Sequence, residues 1–90
     1  WIEDASIASL VLHLCAADLG LGSCWIQIRN RQHDKKTDSD TYVKELLDLK
    51  PDMAVEAILA IGYGAEDKPG HAAETLLYER VSYEKYGNRR

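Results

Sequence analysis

Hydrophobic residues in the first twenty positions recur at the spacing of one helix face. The pattern i, i+3, i+4, i+7 and i+8 predicts an α-helix over residues 3–19. Its apolar positions are Ile7, Leu10, Val11, Leu14 and Cys15. Further leucine and alanine residues widen this stripe until the helix is apolar nearly all round, which predicts burial on more than one side. Asp4 suits the positive N-terminal end of the helix, and Gly20 is typical of a residue that ends one in the left-handed conformation.

Two more apolar runs predict strands, and an amphipathic stretch between them predicts a second helix. Residues 23–28 alternate as a strand does. One face carries Cys24, Ile26 and Ile28, and the other carries Trp25 and Gln27. A helix is predicted over residues 40–49, after the capping residues at 37–41 and before Pro51, because a proline disfavours helix at the residue preceding it. The run at 53–64 is apolar except for Glu56 and predicts a strand buried on both faces.

The remaining segments predict loops and a tail. Residues 29–38 are polar, and a turn is expected at 68–70. From residue 65 onward the apolar residues follow no period, so we expect a tail that is ordered by lying against another surface. Two helices and two strands with this much apolar surface cannot cover themselves, so the pattern predicts half of an α+β domain that needs another half, another subunit or both. Since the chain opens on Trp1 and not on an initiating Met, we expect it to begin within a longer protein.

Composition and charge narrow the class of protein. A length of 90 residues makes one domain at most. The net charge of −4 argues against a nucleic-acid role, because such domains usually carry a basic face. The basic cluster at 29–36 is interrupted by Asp34, so we interpret it as a solvated loop, with a polyanion site as the less favoured alternative. No apolar stretch is long enough to span a membrane and no signal peptide opens the chain, which predicts a cytoplasmic protein.

The stretch GLGSCWIQI, at residues 20–28, poses the question of what chemistry the chain carries. Phosphate-binding loops run from strand to glycine turn to helix. Here the helix comes first, so the glycines predict a turn and not a phosphate site. Cys24 lacks a neighbouring base, and its spacing from Cys15 fits neither a redox pair nor a zinc site, so we expect free, partly buried thiols. The histidines stand apart from other ligand residues, which predicts no metal site.

The end of the first predicted strand is a candidate ligand edge. A strand that stops at a loop leaves its last N–H groups unpaired, here those of Gln27 and Ile28. A flat heteroaromatic ring bearing acceptor atoms suits such an edge, with Trp25 or Ile26 as apolar support. The pattern alone leaves two alternatives open, a bound ligand or water.

Three stretches carry a resemblance to a known family. They are DASIASLVLHLCAADLGLGSCWIQI, YVKELLDLKPDMAVEAILAIGYGAEDKPG and YERVSYEKYG. In this order they resemble the C-terminal half of the FMN-dependent nitroreductase family. The resemblance implies an α+β, nitroreductase-like sandwich that forms an intertwined homodimer. It implies that residues 1–64 are the C-terminal half of the domain and that residues 65–90 are an extended arm packing on a partner subunit.

The same resemblance implies a cofactor site. FMN would lie in a cleft at the subunit interface, with the backbone N–H groups of Gln27 and Ile28 approaching flavin N5 and with Trp25 and Ile26 beside the ring. Lys68 is the nearest candidate to reach the FMN phosphate, and a solvated turn lysine is the alternative reading of that residue. The family's N-terminal Arg/Ser-rich phosphate motif is absent from these 90 residues.

The function implied by the resemblance is an FMN-dependent NAD(P)H oxidoreductase that reduces nitroaromatic or quinone-like acceptors. Hydride would pass through flavin N5 in a ping-pong scheme, with NAD(P)H as co-substrate and no side chain as catalytic acid or base. The implied partners are a second copy or a complementary N-terminal half, and a small-molecule electron acceptor. The alternative is a truncated or split relative that acts as a non-enzymatic binding or assembly module.

Overall fold

The computed structural model describes residues 1–89, whose elements follow the order helix, strand, helix, strand. These elements are α1 (Ile2–Asp18), β1 (Gly22–Gln27), α2 (Ser39–Leu47), β2 (Ala57–Gly62) and two short 3-10 turns at Ala73–Thr75 and Tyr78–Arg80. The predicted order is confirmed, with each boundary shifted by a few residues. The largest shift is at β2, which begins four residues later than the apolar run that predicted it. No helix within residues 1–89 combines the length and apolarity needed to cross a membrane.

The two strands form one antiparallel sheet. Gly22 pairs with Gly62 at one end, and Gln27 pairs with Ala57 at the other. The helix α1 lies over the face that carries Trp25 and Leu59, because side chains of all three elements line one small cavity there. The sheet and one helix on one face make a two-layer α+β unit.

Burial within the chain is lower than the apolar pattern predicts. The only apolar residues buried among residues 1–89 are Ala16, Ile28 and Val43. The chain by itself leaves the second strand partly exposed, since Ile58 is 40% exposed and Ile61 is 51% exposed, as expected of elements that cannot cover themselves. Two strands and one packed helix provide too few layers to cover a strand from both sides.

The cysteines also differ from expectation. Both are free, as predicted, but Cys15 on α1 and Cys24 on β1 are exposed, not partly buried. Cys24 shares the face opposite α1 with Ile26, which is 42% exposed. No other element within residues 1–89 covers Cys24 and Ile26, so this side of the sheet is exposed to solvent.

Local signals at the helix ends act as the sequence predicts. Gly20 has a φ of +77°, and the N–H of Leu21 donates to the carbonyl of Ala16 at 2.9 Å, which together end α1. At the start of α2, the Asp38 side chain accepts the N–H of Thr41 at 2.7 Å, as an N-cap residue does. The helix α2 ends at Leu47, two residues earlier than predicted, because Asp48 adopts the left-handed conformation.

The loop between β1 and α2 is ordered by its own hydrogen bonds. The N–H groups of Lys36 and Thr37 both donate to Asp34 at 2.8 Å, and these bonds hold the pKa of that carboxyl below its usual range. The ring of His33 stacks on Tyr42 of α2 with centroids 3.7 Å apart. The predicted loop is therefore confirmed, and its conformation is stabilised by hydrogen bonds within the loop.

Candidate functional site

The last residues of β1 differ in the direction of their backbone N–H groups. The N–H of Ile28 donates to the carbonyl of Glu56 at 2.8 Å, and the N–H of Arg29 donates to the same carbonyl at 2.9 Å. In an antiparallel ladder, hydrogen-bonded pairs alternate with non-hydrogen-bonded pairs. Gln27, opposite Ala57, therefore occupies a non-hydrogen-bonded position, and its N–H points to the free edge of β1. Of the two donors predicted from the sequence, the Ile28 amide is already engaged, and the Gln27 amide remains available.

Side chains around Gln27 leave that amide accessible. The Gln27 carboxamide donates to the carbonyl of Arg29 at 2.8 Å, so the side chain folds along its own chain. Trp25 and Ile26 lie on opposite faces of the sheet and are each 42% exposed. The strand edge thus presents a main-chain donor with apolar side chains above and below.

A buried carboxylate holds this strand end in place. Glu56 is 9% exposed, and its Oε1 lies 2.5 Å from the Ser6 hydroxyl of α1. Its Oε2 is buried without a hydrogen-bond partner among residues 1–89. The next residue towards the N-terminus, Val55, donates its N–H to the Asp40 side chain of α2 at 2.6 Å. We call Ser6, Asp40, Val55 and Glu56 the strand-end clamp, because they tie α1, α2 and β1 to the start of β2.

A cavity of about 500 Å³ adjoins the strand end on the side of α2. Its lining includes Arg29 and Arg31 from the loop, and Asp38 and Asp40 from the start of α2. The N–H of Thr41 donates to Asp38, and this bond lowers the pKa of the Asp38 carboxyl. The Asp38 carboxylate is thus held by local structure, whereas the two guanidinium groups lie beside it in the cavity lining.

Lys68, predicted to reach a phosphate, follows β2 in the chain and pairs with a neighbouring carboxylate. It follows the Gly62 end of the sheet, whereas Gln27 stands at the other end. Its ammonium pairs with Glu66 at 3.2 Å, and both side chains are largely exposed. No hydrogen bond or ion pair within residues 1–89 connects Lys68 with β1.

Other side chains considered from the sequence form no reactive cluster. The Ser23 hydroxyl contacts Nδ1 of His13, which joins β1 to α1. The Cys24 thiol lies 3.7 Å from the carbonyl of its neighbour Trp25. Within residues 1–89, no three His, Cys, Asp or Glu side chains stand together as a metal ion would require.

Comparison with known proteins decides the family. The sequence profile of the nitroreductase family matches residues 2–63. The chain belongs to the nitroreductase family. The matched residues run from α1 through β2 and include the strand end and its clamp, whereas Lys68 and the tail follow the match.

Two similar proteins show how much of a nitroreductase this chain represents. A protein from Archaeoglobus fulgidus, provisionally named an NADH dehydrogenase/NAD(P)H nitroreductase, is 28% identical over 87 residues; the match covers 96% of this chain and 47% of that protein. The solved structure of an FMN-dependent nitroreductase from Clostridium difficile R20291 is 44% identical, with a TM-score of 0.89. That likeness covers 96% of this chain and 50% of the solved one. The chain therefore spans about half the length of these nitroreductases.

Sequence reasoning overlooked two parts of the site. Glu56 is the single charge in an apolar run, and a charge at such a position is itself a signal of a buried, partnered carboxylate. Arg29 and Arg31 belong to the segment that the sequence predicts as a solvated loop, and the structure places both beside the cavity. Their placement depends on the turn at Asn30, whose φ is +58°, and on backbone hydrogen bonds with Glu56 and Ser39, which lie further along the chain.

Proposed function

We propose that this chain supplies one edge of the flavin site in an FMN-dependent NAD(P)H oxidoreductase that reduces nitroaromatic or quinone-like acceptors. The observation that carries the proposal is the outward N–H of Gln27 at the free edge of β1. When bound, FMN supplies the carrier through which hydride passes from NAD(P)H to the acceptor. The NAD(P)H co-substrate and the acceptor would use the site in turn, in a ping-pong scheme.

The residues present fit a flavin ring in their chemistry. An isoalloxazine ring is flat, largely apolar and bears acceptor atoms on its edge, and a strand edge offers N–H donors in one line. The Gln27 amide would donate to N5, and Trp25 and Ile26 would exclude water from either side of that bond. The Ile28 amide is committed to Glu56, so Ile28 would contribute backbone position and packing. Lys68 remains the proposed phosphate contact. To bind the phosphate, its ammonium group would have to leave its ion pair with Glu66.

Completion of this site requires surface from outside the chain. On α1, Leu10 is 57% exposed and Leu14 is 59% exposed, and the sheet face with Ile26 is open. Exposed apolar patches of this kind mark interaction surfaces. We therefore propose that a second copy or a complementary N-terminal half covers them, with residues 65–90 as an arm on a partner subunit. A cytoplasmic location accords with two free, exposed thiols, since reducing compartments keep such thiols reduced.

Two substitutions at one position test the main-chain donor in the full-length protein. Gln27→Pro removes the N–H, and proline is tolerated at an edge-strand position whose N–H faces outward. Loss of one hydrogen bond predicts about tenfold weaker FMN binding. Gln27→Ala keeps the N–H and should leave FMN affinity within about twofold.

The readout is the visible flavin absorption that remains with the protein after gel filtration, together with an FMN titration. If Gln27→Ala abolished binding in a folded protein, the contact would belong to the side chain and the proposal would be wrong. A full-length protein that gains no flavin band on addition of FMN would favour the non-enzymatic alternative. In that case the exposed apolar faces would serve an assembly or binding module.

A further inference from the structure

We propose that the cavity between the end of β1 and the start of α2 binds the phosphate groups of the reduced nicotinamide dinucleotide through Arg29 and Arg31. This inference rests on the proposed function and adds a second subsite to it. The cavity volume of about 500 Å³ is within the range of small-molecule sites. Its lining includes Ile28, so it adjoins the end of the strand whose Gln27 amide would face the flavin.

Two carboxylates line the cavity beside the two guanidinium groups, and each carboxylate has donors within the protein. Asp38 accepts the N–H of Thr41 at 2.7 Å. Asp40 accepts the N–H of Val55 at 2.6 Å and pairs with Lys44 at 3.6 Å. Both carboxylates are therefore engaged by donors of the protein itself.

The guanidinium groups have no comparable partners. Within residues 1–89, the Arg29 side chain makes neither an ion pair nor a hydrogen bond, and Arg31 makes one long bond, of 3.4 Å, to the Asn30 carbonyl. Guanidinium groups bind phosphate through paired, charge-assisted hydrogen bonds. A phosphate-bearing ligand would satisfy donors that the chain leaves open.

The backbone fixes both arginines before any ligand arrives. The N–H of Arg29 donates to Glu56 at 2.9 Å, and the N–H of Arg31 donates to Ile28 at 3.2 Å. The carbonyl of Arg31 accepts the N–H of Ser39 at 2.8 Å. Binding would therefore order side chains but not the loop, which lowers its entropic cost.

Chain length places both residues within reach of a ligand that starts at the flavin edge. At no more than about 3.6 Å per residue, the Cα of Arg29 lies within about 7 Å of that of Gln27, and the Cα of Arg31 within about 14 Å. A dinucleotide with its nicotinamide ring on the flavin extends its phosphates away from that ring. The adjoining cavity lies at the end of β1, where Ile28 follows Gln27, and its two guanidinium groups would be available to them.

The test compares two double substitutions in the full-length protein, without added FMN. Arg29→Ala/Arg31→Ala removes both guanidinium groups. Lys35→Ala/Lys36→Ala removes the same charge from the same loop, but these lysines do not line the cavity. Calorimetric titration with inorganic pyrophosphate, with ADP and with 4-nitrobenzoate gives the dissociation constants, and thermal melts check that each variant is folded.

The expected result is a rise of about tenfold or more in the dissociation constants for pyrophosphate and ADP in the arginine variant, because two charge-assisted contacts are lost. The lysine variant should change them by less than about twofold. Equal weakening in both variants would indicate general charge attraction and overturn the proposal. An arginine effect confined to 4-nitrobenzoate would assign the cavity to an anionic acceptor and also overturn it.

A separate FMN titration distinguishes the two proposals. Normal FMN binding with arginine-independent pyrophosphate binding would overturn this inference and leave the proposed function standing. Absent FMN binding with arginine-dependent pyrophosphate binding would overturn the proposed function, and with it the assignment of the phosphate site to a nicotinamide dinucleotide.

Discussion

The hydroxyl of Ser6 is the contact whose removal should affect the strand-end clamp most directly. It lies 2.5 Å from Oε1 of the buried Glu56 and 2.8 Å from the carbonyl of Ile2. A hydroxyl donates one proton, and a carboxylate is the stronger acceptor of the two. Since Oε2 of Glu56 already lacks a partner within residues 1–89, Ser6→Ala would leave the whole carboxylate unsatisfied.

The magnitude follows from the cost of an unpaired buried acceptor. Removal of a hydrogen bond to a buried charged group costs about 2–3 kcal/mol. Alanine is a better helix former than serine by about 0.5 kcal/mol, which offsets part of this loss. We expect a net fall of about 2 kcal/mol in the free energy of unfolding, which at a urea m-value of about 2 kcal/mol/M lowers the midpoint by about 1 M.

The matched control lies one turn along the same helix. The Ser9 hydroxyl donates to the Ala5 carbonyl at 2.8 Å, within α1 itself. Ser9→Ala therefore makes the same chemical change without breaking a contact between elements, and should alter the free energy of unfolding by no more than about 0.5 kcal/mol.

Urea unfolding of the full-length variants, followed by circular dichroism, supplies the measurement. A double variant, Ser6→Ala/Glu56→Met, should recover most of the loss, because an apolar replacement of both partners leaves no unsatisfied group. If Ser6→Ala and Ser9→Ala shifted the midpoint equally, the clamp would contribute nothing beyond helix propensity and the reasoning would be refuted.

Two further predictions concern the helix ends. Because its pKa is lowered in the folded state, Asp38 stabilises the protein above the unfolded pKa, and this contribution should fade as pH falls through about 4 towards the lower folded pKa. Asp38→Asn should keep the cap and reduce that acid dependence, measured as the urea midpoint at several pH values. Gly20→Ala should destabilise by about 1–2 kcal/mol because φ is +77° there, whereas Gly62→Ala, at an ordinary φ with nothing within 4 Å of the added Cβ, should change stability little; equal midpoints for these two variants would contradict the argument.

The order and type of the elements could be read from the sequence because the signals are local. The helical spacing of apolar residues in α1, the alternation in β1 and the stop at Gly20 each depend on a few neighbouring residues. The family resemblance rested on the same stretches and is confirmed by the match to residues 2–63. Local signals thus determined the fold class.

The exposure of β2 and Cys24 in the chain by itself has a different origin. A pattern of apolar residues predicts that a surface is buried, but it does not predict whether the same chain or another surface buries it. Here α1 covers one face of the sheet, and Cys24 and Ile58 on the other face stay exposed. Whether the chain itself supplies the cover depends on its tertiary structure and not on the pattern.

In the candidate site, too, some features follow from local sequence and others depend on long-range contacts. The sequence by itself pointed to the strand end at Gln27 and Ile28 as a candidate ligand edge, because a strand that stops leaves donors unpaired. Only the tertiary structure decided which donor is free, since the phase of the antiparallel ladder is set by pairing with β2, about thirty residues further along the chain. The same long-range pairing brings Glu56 to the carboxyl end of β1. It also leaves Arg29 and Arg31 beside a cavity, a placement that depends on contacts between distant segments and has no local signature.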